Sequence, residues 1–195
     1  MKLRSTPIAV LAAVPFALAG CAGGPAAPAP PPEPSAQAVN WTGKVCGLVS
    51  GFSESQQHMP GLDRTNTTSV KKSVIARIDA AEKSADDTVR GLTDLGAPPV
   101  KGAEQIGTGF QEGFSEVRDV LRGARGKAEQ IDTGDKQRFE QGMADLQKEL
   151  DKGSHLDLKQ KLVQLEQNAE LNAAAHRAPE CQPFFTKPKD QQPPR

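Results

Sequence analysis

The sequence predicts an all-α fold, and two observations carry the prediction. From Trp41 to Asn172 the apolar residues recur at spacings of three and four, the period of a helix face rather than the alternation of a strand. Aromatic residues are scarce, with one Trp, no Tyr and seven Phe in 195 residues. Sandwiches and barrels draw more heavily on aromatic and β-branched side chains than this.

Trp41, Val45, Leu48, Val49 and Phe52 share one face of a first helix, and Pro60-Gly61 ends it. Residues 62–66 read as a polar loop. Val70, Val74, Ile78, Ala81, Ala85, Thr88 and Leu92 then repeat at 4-4-3-4-3-4, a heptad-like seam. Gly96 and Pro98-Pro99 stop this second helix. A third runs from about Lys101 to Ile131, with Ile106, Phe110, Phe114, Val117, Leu121, Ala124, Ala128 and Ile131 on its stripe.

The third helix also holds Gly102, Gly107, Gly109, Gly113, Gly123 and Gly126. An interior glycine costs about 1 kcal/mol relative to Ala. Gly109 and Gly113 either let a neighbouring helix approach or weaken their own. Gly123 and Gly126, near the end, read as weakness. Asp132-Thr133-Gly134-Asp135 is a tight turn. Phe139, Met143, Leu146 and Leu150 continue at 4-3-4, and beyond Gly153-Ser154 come Leu158, Leu162, Leu165, Ala169 and Asn172 at 4-3-4-3. Pro179 closes the segment. Periodicity alone leaves open whether this last stretch is one helix or two.

The N-terminus is of another kind. Lys2 and Arg4 precede an apolar run from Pro7 to Leu18, and Leu18-Ala19-Gly20-Cys21 follows. The run is shorter than the roughly twenty residues a membrane-spanning helix needs. The arrangement resembles the signal peptide and lipobox of bacterial lipoproteins. The resemblance covers about the first twenty residues. It implies cleavage before Cys21, lipid on the Cys21 thiol, and anchoring to the outer face of a bacterial membrane, which two or three acyl chains make firm. Residues 1–20 are then signal peptide and 21–38 a lipidated cysteine with a Pro/Ala-rich linker. Seventeen residues of extended polyproline-type chain reach roughly 50 Å. The domain occupies 39–185, and 186–195 is a proline-rich, disordered tail.

With Cys21 lipidated, Cys46 and Cys181 remain as an even pair in an oxidising compartment, and we expect them to be bridged. The pairing bears on the last segment. If the first helix runs up, a continuous fourth runs down and returns Cys181 to the end where Cys46 lies. A reversal at Gly153 would carry Cys181 about 40 Å away, beyond any disulfide. The expectation is therefore an up-down-up-down four-helix bundle with one disulfide.

Removing Lys2 and Arg4 with the signal takes the 24 basic residues to 22, against 24 acidic. A net charge near −2 provides no electrostatic footprint for nucleic acid. Ser69-Val70-Lys71-Lys72 matches the S-x-x-K of penicillin-binding enzymes, but their S-D-N and K-T-G elements are absent. Gly102 and Gly107 have phosphate-loop spacing without the lysine that follows the second glycine. His58, His155 and His176 make no i, i+4 pair, so neither a metal nor any other cofactor is expected. Glu82, Asp86, Asp87, Glu112, Glu116, Asp119, Glu140, Asp145 and Glu149 lie off the apolar seams and read as solvated faces. Asn40 and Asn66 head sequons that carry no message in a bacterium.

The expected function is a non-catalytic interaction or structural module of the cell envelope. Its partners would be the membrane through the lipid and, beyond that, an envelope protein or wall polymer. The alternative is a carrier of a lipid or small apolar ligand between the helices, which needs an apolar cavity of roughly 300 Å³ or more. Small side chains at Ala81, Ala85, Ala124 and Ala128 point instead to a slim, closed bundle.

Overall fold

The computed structural model describes residues 33–155 and 158–185, with side chains described outside 154–162. The signal peptide, Cys21, most of the linker and the tail lie outside the described residues. Those that are described contain seven α-helices and no strand: α1 Ala36–Gln57, α2 Thr67–Leu95, α3 Glu104–Gln130, α4 Lys136–Asp151, α5 Leu158–Gln167, α6 Ala169–Arg177 and α7 Gln182–Phe185. The all-α expectation holds, and Cys46 and Cys181 are bridged, with Cα atoms 5.0 Å apart.

Local signals set most of the helix ends. Ser35, Asn66 and Asp135 each accept a hydrogen bond from a backbone N–H three residues on, capping α1, α2 and α4. Gly96 ends α2 at φ +70°, a conformation that suits glycine. The domain opens earlier than expected. Ala36, Gln37 and Ala38 belong to α1, and Ala38 is fully buried.

Cross-helix contacts give the register. Leu48 faces Gly91, Ser55 Oγ meets Ser84 Oγ at 2.6 Å, and Trp41 Nε1 donates to Gly96 O at 3.1 Å, so α1 and α2 are antiparallel. Between α2 and α3, Arg125–Asp79 (2.6 Å), Arg122–Glu82 (3.2 Å) and Arg118–Asp86 (3.7 Å) form an antiparallel ladder. Such exposed pairs contribute at most about 1 kcal/mol each, so they record the register more than they create it. Ile131 beside Gly142 and Glu149 beside Gly123 place α4 antiparallel to α3.

The continuous fourth helix is corrected. A 3-10 turn, Lys152–His155, follows α4, with Gly153 against Val120 of α3. A second break falls at Asn168, whose backbone is extended and whose side chain accepts from Leu171 N at 3.1 Å, starting α6 afresh. Here the chain turns back. Ser35 meets Glu170, Gly43 meets Ala178, and Cys46 meets Cys181, so α6 runs parallel to α1. The expected stripe shifts in phase as a result. Leu165 is buried, Ala169 is exposed, and Leu171, Ala174, Ala175 and Ala178 carry the seam onward. The side chains of Leu158 and Leu162 lie outside those described.

The core has two parts. The larger gathers Trp41, Val45, Leu92, Phe110, Phe114 and Leu171 around the disulfide. Phe52 and Phe114 add an edge-to-face contact, centroids 5.2 Å apart. The smaller part holds Ile78, Ala124, Ala128, Ile131 and Leu146. Fully burying a side chain such as Phe110 contributes about 1.5–3 kcal/mol.

Two stability tests follow from this packing. A Cβ on Gly91 would overlap Leu48 Cδ2 and lie 3.1 Å from Cδ1, whereas Gly51 has open space around it. Gly91→Ala should lose about 1 kcal/mol, because overpacking outweighs the propensity gain, and Gly51→Ala should gain about 0.5–1 kcal/mol. Equal shifts in thermal midpoint for the two variants would contradict this. Thr42 is fully buried, and its Oγ1 has no hydrogen-bond partner among the described residues. Thr42→Val should therefore raise stability by about 1 kcal/mol in denaturant melts, since an unmade buried bond costs about that or more. A loss would show that the hydroxyl is satisfied.

Candidate functional site

α1 stops at Gln57 while α2, α3 and α4 continue past it. A loop, residues 58–66, crosses to α2 and leaves an apolar groove of about 430 Å³ beneath it. Val74 and Ile78 of α2, Leu121 of α3, and Met143, Leu146 and Leu150 of α4 form its walls. Ile78 and Leu146 are the floor, 5% and 2% exposed, while Leu62 at the rim is 41% exposed. The slim, closed bundle expected from the alanines is thus only half right. Ala81, Ala85, Ala124 and Ala128 are buried, but the groove opens beside Ala81 because no helix among the described residues covers that side.

Polar bonds hold the loop over the groove. Arg77 Nη1 donates to Pro60 O at 2.9 Å, and Asp63 N donates to Ser73 Oγ at 3.2 Å. Asp63 Oδ1 accepts from Thr65 N at 2.9 Å and from Thr65 Oγ1 at 2.8 Å, making a short turn. The Thr65 N–H, then the Thr65 hydroxyl, holds the Asp63 carboxyl below its ordinary range.

The residues singled out in the sequence fall as follows. Cys46 and Cys181 meet, and Cys21 lies outside the described residues. Ser69 sits in the first turn of α2, where its N–H is held by Asn66 Oδ1 at 2.8 Å and its hydroxyl faces the Asp63 carboxylate. Lys72 is exposed, and neither residue lines the groove. Lys71 turns away and donates to Glu129 O and Ile131 O at the end of α3.

Gly102 (φ +75°) precedes α3, and Gly107 is packed beside Pro98 and Trp41, so the phosphate-loop spacing serves a helix start and a close packing contact. His58 Nδ1 lies 2.9 Å from Glu54 O, His176 stacks on Phe185, and the His155 side chain lies outside those described. Among the described residues no three His, Cys, Asp or Glu side chains converge as metal ligands, and no helix is long and apolar enough to cross a membrane. Of the carboxylates, Glu82 and Asp86 join the α2–α3 ladder, and Asp87 pairs with Lys83 of its own helix. Asp145 pairs with Lys148 and Glu149 with Lys152.

Sequence reasoning gave Met59, Leu62 and Arg77 no place in a binding site. The signal was present in two apolar residues standing in an otherwise polar loop. The chain matches no known family model, no curated protein and no solved structure.

Asp63 generates a pH prediction. A carboxyl held below its ordinary value orders the loop above that value and releases it as pH falls through the lowered one. Protection of the Thr65 amide from hydrogen exchange should fall as pH is lowered below about 4. Asp63→Asn should remove that dependence. Protection that stays flat in the wild type would mean the turn does not rely on the charge.

Proposed function

We propose that this protein is a non-catalytic binding module of a bacterial cell envelope, anchored by lipid on Cys21 to the outer face of the membrane. The Leu18-Ala19-Gly20-Cys21 site behind a short apolar run supports the anchor. A bridged Cys46–Cys181 pair suits an oxidising compartment. We read the frame as an up-down-up-down four-helix arrangement in which α4 and α5 together make an interrupted fourth rod and α6 is a short return.

The observation that carries the binding reading is the groove between α2, α3 and α4. Its lining is apolar apart from Gln56, Arg77 and Gln147, and its volume of about 430 Å³ falls within the range of ligand sites. That favours the second reading, a carrier of a lipid or small apolar ligand, over a purely structural module. Catalysis needs polar groups converging in a cleft. Here the cleft is apolar, and Ser69 and Lys72 stand outside its lining.

Two measurements test the reading. The intact mass of membrane-extracted protein should begin at Cys21 and carry added acyl mass, and Cys21→Ala should block processing. An unmodified, soluble protein starting elsewhere would remove the anchor. The neutral dye N-phenyl-1-naphthylamine should brighten on binding, and Leu62→Glu with Val74→Glu should weaken that binding tenfold or more without loss of helicity. Dye binding untouched by these changes would place the site elsewhere.

A further inference from the structure

The groove contains one charged residue in its lining. Arg77 projects from α2 beside Ile78 and reaches the rim under the loop. A guanidinium has five N–H donors in a fixed fork. One bond, to Pro60 O, is accounted for, and among the described residues no carboxylate pairs with Arg77. The arginines of the α2–α3 ladder, by contrast, all have acidic partners. The other polar lining residues, Gln56 and Gln147, are neutral. An apolar trough with a single uncompensated cation at its rim is complementary to a ligand that is apolar along its length and anionic at one end.

The groove is open on one side, so its volume of about 430 Å³ describes the sheltered part of a ligand. A trough walled by Val74, Ile78, Leu121 and Leu146 suits one alkyl chain laid along it, with its charged end at Arg77. A carboxylate also suits the guanidinium fork, which pairs with it through two parallel bonds.

We propose that the groove between α2, α3 and α4 binds a free, single-chain fatty acid, with its carboxylate on Arg77 and its chain over Ile78 and Leu146. This inference rests on the groove being the binding site. The bond from Arg77 to Pro60 also ties the ligand to the loop, because the same side chain would hold the carboxylate and the strand of chain that covers the groove.

The test uses the full chain in phosphatidylcholine vesicles, exposed to dodecanoic acid bearing a photoreactive diazirine and, separately, to the matching dodecanol. After irradiation the cross-linked peptides are mapped by mass spectrometry. The acid should label the peptides holding Val74–Ile78 and Met143–Leu150 at least tenfold more than the alcohol. Arg77→Gln should abolish that preference, and Arg77→Lys, which keeps the charge but loses the fork, should retain part of it. If acid and alcohol label these peptides equally, the groove stands as an apolar site but the fatty-acid assignment falls. If neither labels them, the groove reading falls as well. A phosphatidylcholine molecule retained in the groove, detected by native mass spectrometry, would also overturn the assignment. Should Arg77→Gln lose its helical signal, the acid-to-alcohol ratio in wild type and Arg77→Lys still decides.

Discussion

The Cys46–Cys181 bond is the constraint on which the larger core depends. It joins positions 135 apart in sequence, nearly the two ends of the domain. Closing a loop of that size removes about 5 kcal/mol of freedom from the unfolded chain in the entropy model. That is comparable with the whole net stability of a typical domain, about 5–15 kcal/mol. The element it secures is weak alone. α6 has nine residues, fewer than an isolated helix needs to persist in water. Pinned beside α1, it places Leu171, Ala174 and Ala175 against Trp41 and Val45 and completes a core that neither helix could close by itself.

The groove is the consequence of unequal helix lengths. α1 has 22 residues and α2 has 29, so at 1.5 Å per residue they span about 33 and 44 Å. At the end where Trp41 bonds to Gly96, α1 starts earlier, at Ala36, so it overhangs α2 there. Beyond the Ser55–Ser84 contact α1 stops at Gln57 while α2 continues back to Thr67, a shortfall of about 20 Å over Ile78 and Leu146. There the smaller core is covered by a loop held on α2 by Arg77 and Ser73 rather than by helix. The two halves of the molecule are thus organised differently, one covalently pinned, the other covered on one side by a loop.

The helical segments were legible because their causes are local. Period, caps and breakers act within a few residues, and Ser35, Asn66, Gly96 and Asp135 each do in the structure what such residues do in any chain. The pairing of Cys46 with Cys181 was legible for a different reason, since setting Cys21 aside as the expected lipid site leaves only one pair. The parity argument reached the right proximity through the wrong path. It took the last segment as continuous, whereas Asn168 caps a new helix and reverses the chain. Leu165, Ala169 and Asn172 extend the old rhythm across that point, and so masked the shift to Leu171, Ala174 and Ala178.

By itself, then, the sequence determined the all-α class and the stops of the second and third helices, and with Cys21 set aside it left a single cysteine pair, because each follows from short-range geometry or from elimination. Only the tertiary structure decided that α6 lies parallel to α1, that α1 falls short of its neighbours, and that Arg77, at the rim of an apolar groove, has no acidic partner among the described residues. Those facts depend on which helix lies beside which, and at what register. Side chains distant in sequence settle that jointly, so no window of the chain contains it.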